Sequence, residues 1–205
     1  LFAGSGFPGE SAGVLRNHRR WRRLEQATIS YGYGISATPL QVAQAYAAIA
    51  NGGKLRQPAF IQGSNNPPLS AIDADVANAV AKMLETVTTT IGTGSRARVA
   101  NYRIAGKTGT SHKASASGYA AARYVSSFAG FGPASNPRLV CVVVINDPTG
   151  DEYYGGLVAA PLFSEVMTGA MRILNIPPDD YPMMLDGNSN NTSNNSSNNS
   201  SAGAD

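Results

Sequence analysis

The residues of this chain best suited to chemistry are a lysine and two threonines in the run 105–110, which reads Ala-Gly-Lys-Thr-Gly-Thr. An ammonium group and hydroxyl groups at the rim of a cleft suit a carboxylate ligand, because charge-assisted hydrogen bonds to carboxylates are short and strong. On a strand, Thr108 and Thr110 point to one face and Lys107 to the other, and strand twist can bring all three to one rim. A backbone N–H of Thr110 left unpaired at a sheet edge would be a donor for an oxyanion. The run therefore predicts a site for an anionic ligand.

This run has two competing interpretations. A phosphate-binding loop needs a glycine five residues before Gly106, but that residue is Asn101, so the loop cannot be built. Gly109 also opposes the helix into which such a loop must lead. The second interpretation is a solvated edge strand, which would be the better hypothesis for an isolated triplet. The surrounding sequence decides against it.

Three strands and three helices are predicted around this run, in the order two helices, three strands, one helix. The strands are expected at residues 102–111, 124–132 and 138–145. The apolar run 139–145 is typical of a strand buried on both faces, and the short connection before it favours an antiparallel hairpin. The fold class is therefore α+β, with helices packed on an antiparallel sheet.

The helices are predicted from their start signals. Thr38-Pro39 supplies an N-cap and a first-turn proline for a helix over residues 40–51. Ser70-x-x-Asp73 resembles a capping box and is expected to open the second helix. Pro161 is expected to begin the last helix, whose predicted inner face consists of Val166, Ala170, Ile173 and Leu174.

Composition indicates one globular domain followed by a polar tail. The 205 residues can bury a substantial core, with 42% hydrophobic residues and a net charge of +3. That charge does not by itself indicate a nucleic-acid partner, and it suits an acidic substrate. From Gly187 onward the chain is almost entirely Asn, Ser, Thr, Ala and Gly, so residues 184–205 are predicted to be disordered.

The cysteine, the possible metal ligands and the arginine-rich segment do not indicate further chemistry. Cys141 lies in an apolar run and is predicted to be a buried, inert thiol. No pair of His, Cys, Asp or Glu has the spacing of metal ligands, so we expect neither a metal nor a cofactor. Five arginines between residues 16 and 23 surround His18 and Trp21. They have no nucleic-acid motif around them and are interpreted as a solvated surface.

Neither a membrane-spanning helix nor a signal peptide is predicted from the sequence. No apolar run approaches the roughly 18 residues that a membrane-spanning helix needs. The start at Leu1 lacks an initiator Met and is not a signal peptide. We therefore expect the chain to be a fragment or a processed piece.

Four segments, taken in their order and spacing, indicate the kind of protein to which the run belongs. They are Gly6-Phe7-Pro8-Gly9-Glu10; Tyr31-Gly32-Tyr33-Gly34 with Thr38-Pro39-Leu40-Gln41 and residues 45–53; residues 105–110; and residues 143–148 with Tyr153-Tyr154-Gly155-Gly156 and residues 159–163. Together they closely resemble the C-terminal half of the transpeptidase domain of class B penicillin-binding proteins, in particular the septal, cell-division type of Gram-negative bacteria. The resemblance covers residues 1–183 and implies a penicillin-binding/β-lactamase-like fold.

The resemblance implies a D,D-transpeptidase of peptidoglycan biosynthesis. In that family a serine attacks the D-Ala-D-Ala bond of a stem peptide, and an amine from a neighbouring stem resolves the acyl-enzyme. β-Lactams mimic the donor and trap the acyl-enzyme. The implied location is the periplasmic face of the inner membrane at the septum, with an anchor outside this chain. The implied partners are stem peptides, β-lactams, the N-terminal part of the same protein and membrane proteins of the division machinery, with no nucleic acid among them.

The resemblance also assigns roles to the residues of the run. Lys107 would polarise the site and complement the substrate carboxylate, to which Thr108 and Thr110 would hydrogen-bond. The Thr110 N–H would form half of the oxyanion hole, and Gly109 would keep the strand accessible.

Aromatic residues follow as secondary candidates. Tyr124, Tyr153 and Tyr154 could line an apolar wall for the substrate or for a β-lactam side chain, or they could be ordinary packing. His112 could touch the bound ligand, although a solvated histidine at a strand end is the simpler interpretation.

The chain departs from the family in one decisive respect. The family's nucleophile motif is Ser-x-x-Lys, and none occurs in these 205 residues. We expect it upstream, together with the Ser-x-Asn motif, and we expect the fragment alone to be inactive. Ser64-Asn65-Asn66 matches Ser-x-Asn only by chance in a proline-rich loop, and Thr110-x-x-Lys113 overlaps the Lys-Thr-Gly run, so neither replaces the missing motifs.

Two alternatives to the transpeptidase remain open from the sequence. One is a non-catalytic module that binds wall peptides or a division partner, which the missing nucleophile and the arginine-rich segment favour. The other is a soluble β-lactamase relative. The Tyr-Gly-Tyr-Gly and Tyr-Tyr-Gly-Gly segments argue against it, as does the lack of a carboxylate that could activate a deacylating water.

Overall fold

The computed structural model describes residues 2–63, 66–115 and 118–181, and within them four α-helices, two short 3₁₀ helices and five strands. The helices are α1 (Arg23–Ile29), α2 (Pro39–Ala50), α3 (Ala74–Thr86) and α4 (Gly155–Ile173). The strands are β1 (Lys54–Leu55), β2 (Leu69–Ser70), β3 (Ala105–Ser115), β4 (Gly118–Gly132) and β5 (Leu139–Asn146). The expected tail at 184–205 and most of the Ser64-Asn65-Asn66 triplet lie outside the described residues.

The main sheet is antiparallel, with the strand order β3-β4-β5. The predicted hairpin between β4 and β5 is confirmed, and it pairs Phe128 with Val143. Among the described strands, β3 forms one edge of this sheet and β5 the other. The prediction that β5 is buried on both faces is wrong, because it is an edge strand whose Val144 remains 43% exposed.

The start of α2 follows the predicted local signals. The backbone N–H of Gln41 donates to Thr38 Oγ1 at 3.2 Å, and the backbone N–H of Thr38 donates to Gln41 Oε1 at 2.9 Å. This capping box satisfies N–H groups that have no partner inside the helix. Pro39, at the first helical position, costs nothing because its missing N–H is not needed there.

The start predicted for α3 is wrong. Ser70 lies in β2, where it pairs with Lys54, and Asp73 occupies the N-cap position of α3 without a side-chain cap hydrogen bond. The apolar residues of this helix are only partly buried, since Val76 is 48% and Met83 64% exposed, whereas Ala77 is fully buried.

The last helix differs most from its prediction. It begins at Gly155, and Pro161 lies inside it. The buried residues of α4 are Gly155, Ala159, Ala160, Phe163, Met167 and Met171, whereas the predicted inner residues Val166, Ile173 and Leu174 are exposed. The buried face differs from the predicted one because the first turn of the helix, at Gly155, packs directly on the sheet.

The core lies where α4 packs against the main sheet. Its largest fully buried side chains include Phe128, Phe131, Phe163, Met167 and Met171. The rings of Phe128 and Phe163 lie 4.7 Å apart between centroids, in a tilted arrangement. Cys141 packs at the margin of this core and is only half-buried, and burial raises the pKa of its thiol. The predicted full burial of this thiol is therefore wrong, and its raised pKa keeps it protonated near neutral pH.

Candidate active site on the edge strand

The Lys-Thr-Gly run lies in β3, with β4 as its one described neighbour. Alternate backbone N–H groups of an edge strand point away from the sheet and can bind a ligand. Two glycines let β4 pack closely. A Cβ on Gly106 would lie 2.7 Å from the Phe128 ring, and one on Gly109 would lie 2.5 Å from Ser127 Oγ. Both glycines are therefore required for the close packing of β4, whether or not a ligand also needs access to the strand.

Lys107 and Thr108 come together at the edge of β3, although neighbouring strand residues point to opposite faces. Lys107 Nζ donates to Thr108 Oγ1 at 3.2 Å and to the Thr108 carbonyl at 3.1 Å. Thr108 Oγ1 in turn donates to Thr93 Oγ1 at 3.3 Å. An ammonium group and two hydroxyls therefore form one polar cluster, and both Lys107 and Thr93 are exposed to solvent.

Thr110 is held by the start of α4. The backbone N–H of Gly155 donates to Thr110 Oγ1 at 2.9 Å. Because this bond uses a lone pair of the hydroxyl oxygen, the hydroxyl hydrogen of the exposed Thr110 remains available for a ligand acceptor.

The first turn of α4 lies directly on the sheet. A Cβ on Gly155 would collide with the carbonyl oxygens of Gly109 and Ser127, and one on Gly156 would collide with the carbonyl oxygen of Thr93. Only glycine permits this approach. It places the positive end of the helix dipole beside β3, which favours an anion at the run.

An aromatic ladder begins beside the run. It consists of His112, Tyr124, Tyr153 and Tyr154. Ring centroids are 4.7 Å apart for His112 and Tyr124, 4.0 Å for Tyr124 and Tyr153, and 4.4 Å for Tyr153 and Tyr154. The hydroxyls of Tyr153 and Tyr154 are hydrogen-bonded to each other at 3.1 Å, and the pKa of Tyr154 is raised, mainly through this hydrogen bond. The structure therefore stacks all four aromatic candidates into one surface.

The ladder is joined to the run through the residues that flank it. Tyr154 immediately precedes Gly155, which binds Thr110. The hydroxyl of the fully buried Ser126 donates to the Tyr153 carbonyl, and Ser126 is the register partner of Thr110. The ladder is thus fixed to β3 and β4 within the described part of the chain.

Three residues of the site were not predicted from the sequence. Thr93 reaches Thr108 from the loop after α3, and Ser126 and Gly155 hold the aromatic ladder and Thr110. Thr93 stands between Gly92 and Gly94, and nothing in this short stretch of sequence indicates a site residue. Ser126 could be found only from the strand register, which the sequence does not specify.

The arginine-rich segment at residues 16–23 does not form a comparable site among the described residues. Arg16 pairs with Glu25 at 3.0 Å, and Trp21 Nε1 donates to the Arg16 carbonyl at 2.9 Å. The 3₁₀ turn His18–Arg20 has no buried residue, in agreement with a solvated surface.

The described ranges contain no group of three His, Cys, Asp or Glu residues that could hold a metal ion. Among the helices of these same ranges, none has the length and apolar character to span a bilayer.

Comparisons with known proteins agree with one another. The penicillin binding protein transpeptidase domain family matches residues 3–168. The chain is 42% identical over 175 residues to the probable peptidoglycan D,D-transpeptidase PenA of Neisseria flavescens, and the match covers 85% of this chain and 44% of that protein. It is 41% identical over 177 residues to the peptidoglycan D,D-transpeptidase FtsI of Escherichia coli strain K12, covering 85% of this chain and 30% of that protein.

Solved structures give the same result. The apo structure of the TP domain from Burkholderia pseudomallei penicillin-binding protein 3 matches with a TM-score of 0.78 and 40% identity, over 85% of this chain and 54% of that chain. A peptidoglycan glycosyltransferase from Burkholderia ambifaria matches with a TM-score of 0.75 and 39% identity, over 86% and 53%. The chain thus spans about half of these solved chains and less than half of the two curated relatives.

Proposed function

The chain belongs to the penicillin-binding protein transpeptidase family, and we propose that it supplies one wall of the active site of a serine-type peptidoglycan D,D-transpeptidase that acts in cell division. The family, the α+β fold and the position in the C-terminal part of the domain, all predicted from the sequence, are confirmed. The activity, substrate and partners of the whole protein are the proposal.

One observation carries the proposal: the ammonium of Lys107 and the hydroxyls of Thr108 and Thr110 lie on an open strand edge beside a helix N-terminus. A stem peptide that ends in D-Ala-D-Ala presents a terminal carboxylate, as does a penicillin. The lysine supplies the opposite charge, and the hydroxyls supply directed donors to the carboxylate oxygens. This wall would orient the peptide for attack without itself supplying the nucleophile.

The proposed reaction requires a serine from the upstream part of the same protein. The serine oxygen attacks the carbonyl carbon of the penultimate D-Ala, and the C–N bond to the last D-Ala breaks after its nitrogen takes a proton. An amine of a neighbouring stem peptide then attacks the ester and releases the serine. In both steps the Thr110 backbone N–H would donate to the tetrahedral oxyanion, whose stabilisation is commonly worth a factor of roughly 10²–10³ per donor.

The aromatic ladder would serve as the apolar wall for the donor substrate or for a β-lactam acyl side chain. Stacked tyrosines offer a large, rigid surface at low entropic cost. His112 belongs to β3, at one end of the ladder, and is exposed, so it would touch a ligand that extends along the strand.

The remaining partners follow from the proposed function. The upstream part of the same protein would pack against this chain, since β5 leaves the sheet edge opposite the site without a neighbour among the described strands. A location at the periplasmic face of the inner membrane and contact with membrane proteins of the division machinery belong to the same proposal, as the resemblance to septal penicillin-binding proteins implies.

Labelling of the intact protein with a fluorescent penicillin tests the proposal. We expect covalent labelling of the unsubstituted protein and roughly hundredfold slower labelling of Lys107→Ala, because the variant loses the charge facing the carboxylate. Lys82→Ala, which removes an exposed lysine of α3, serves as the matched control and should label normally.

Each contrary result has a distinct meaning. An intact, folded protein that is never labelled contradicts the transpeptidase proposal. If that protein nevertheless binds stem peptides, it is the non-catalytic module instead. Equal labelling of Lys107→Ala and the unsubstituted protein contradicts the role given to Lys107.

A further inference from the structure

The loop between β5 and α4, residues 147–154, carries two rings of the aromatic ladder and is held at both ends. At its far end, Ser126 binds the Tyr153 carbonyl, and Thr110 binds the N–H of Gly155. At its near end stands Asp147, which none of the site assignments above uses. The contacts of Asp147 are those of an anchor rather than of a solvated acid.

The backbone of Asp147 is held in an uncommon conformation. Its φ is +62°, in the left-handed region, which costs a residue other than glycine free energy that the surroundings must supply. Its N–H donates to the Tyr124 carbonyl at 2.8 Å, so the chain turns away from β5 while bonded to a member of the ladder.

The carboxylate of Asp147 meets two cations from two strands. Asp147 Oδ2 accepts from Arg123 Nε at 2.8 Å and also from Arg123 Nη2. Lys113 Nζ lies 3.7 Å from the same oxygen. We call Lys113, Arg123 and Asp147 the ionic clamp. Hydrogen bonding to Arg123 is the main cause of a lowered pKa of Asp147, with smaller contributions from Lys113, so the carboxylate is charged at neutral pH.

The position of Lys113 explains how a β3 residue reaches the end of β5. The register of β3 against β4 shifts between His112 and Ala114, where Lys113 of β3 stands opposite residues 120–123 of β4. The excess residues lie on β4, and Arg123 is the last of them before the regular pair of His112 with Tyr124. An irregularity of this kind re-aims side chains, and here both cations of the clamp come from it.

We propose that Asp147 is a positioning residue that, through the ionic clamp, sets the place of Tyr153 and Tyr154 and so decides which acyl side chains the site accepts. The inference rests on the proposed function. Tyr153 stacks on Tyr124 at 4.0 Å and 12°, and so tight a stack tolerates little movement of the loop. Loss of the clamp releases the near end of the loop, while Lys107, Thr108 and Thr110 keep their own contacts.

Acylation of the intact protein by two β-lactams tests this inference. Benzylpenicillin carries an aromatic acyl side chain, whereas 6-aminopenicillanic acid has the same ring system and carboxylate without that side chain. For Asp147→Asn we expect the second-order acylation rate to fall about fivefold with benzylpenicillin and to stay unchanged with 6-aminopenicillanic acid. Asparagine accepts the left-handed conformation, so this substitution removes the charge and leaves the backbone.

Two further variants provide a second probe of the ionic clamp and a matched control. Arg123→Met removes the other half of the principal ion pair without touching the left-handed residue, and it should change the two rates in the same way. Asp151→Asn removes the same charge from the same loop at an exposed residue, and it should change neither rate. Thermal unfolding of each variant identifies any that do not fold.

The outcomes separate the inference from the function on which it rests. If the unsubstituted protein reacts with neither compound, the proposed function fails. If it reacts and Asp147→Asn and Arg123→Met lose rate equally with both compounds, or with neither, the positioning role of Asp147 is overturned.

Discussion

Thr108 and Thr110 lie two residues apart on β3, yet their hydroxyls have different internal partners. The hydroxyl of Thr108 accepts from Lys107 and donates to Thr93. The hydroxyl of Thr110 accepts from the Gly155 backbone, and its hydrogen is used by no described residue. Of the two, Thr110 is therefore the more readily available donor for a ligand carboxylate.

This difference predicts the effect of replacing Thr110. Thr110→Val should slow acylation of the intact protein by penicillin about tenfold or more, because a hydrogen bond to a charged group is worth about 1.5–3 kcal/mol. Thr110→Ser keeps the hydroxyl and should retain most of the rate. Stopped-flow labelling measures both variants.

The matched control replaces a threonine away from the site. Thr168→Val removes a hydroxyl of α4 that bonds only to the carbonyl of Ser164, so labelling should not change. A Thr110→Val protein that labels at the normal rate would show that this hydroxyl does not hold the ligand.

At the scale of elements, the start of α4 couples the core to the site. Gly155 and Gly156 allow the first turn to touch β3, β4 and the loop that carries Thr93. The same contact sets the rotation of the helix, which buries Phe163, Met167 and Met171. Two glycines thus determine both where the aromatic ladder stands and which face of α4 enters the core.

Gly155→Ala tests this coupling. The added methyl would meet backbone oxygens of Gly109 and Ser127, which cannot move aside as a flexible side chain could. We expect a loss of roughly 1–3 kcal/mol in the free energy of unfolding, together with slower penicillin labelling, since Thr110 loses its Gly155 partner. Urea denaturation of the intact protein measures the first effect and fluorescence labelling the second.

The same helix offers the control. A Cβ on Gly169 would meet nothing within 4 Å, so Gly169→Ala should stabilise the protein by up to about 1 kcal/mol through helix propensity and leave labelling unchanged. If Gly155→Ala behaved like Gly169→Ala, the first turn would not be packed as described.

At the scale of the whole molecule, the stability of the fold and the geometry of the candidate site depend on one core under the sheet. Phe128 belongs to the strand that pairs with the Lys-Thr-Gly run, and its ring packs on Phe163 of α4. The run, the ladder and α4 therefore rest on the same set of buried side chains, and the site should lose its geometry when this core loosens.

Met167→Ala probes that core away from the site. The side chain is 1% exposed, so we expect a loss of about 2–5 kcal/mol in the free energy of unfolding. Met83→Ala removes the same atoms from a residue that is 64% exposed, and it should cost less than about 0.5 kcal/mol. Urea denaturation compares the two, and equal losses would contradict the position assigned to the core.

Features that depend on neighbouring residues could be predicted from the sequence. The capping box at Thr38 and Gln41 predicted the start of α2, because a cap involves only residues of one turn. The run 105–110 predicted a strand that carries an anion-binding group, and four ordered segments identified the family.

Contacts between residues that are far apart in the chain were seen only in the folded structure. Thr110 and Gly155 are separated by 45 positions in the chain, and Arg123 and Asp147 by 24. The rotation of α4, the entry of Thr93 into the site, the stacking of the aromatic ladder and the ionic clamp all arise from such contacts. Propensities and caps act within a turn or a strand, whereas these contacts depend on strand register and on close backbone approach, which form only when the sheet and α4 pack together.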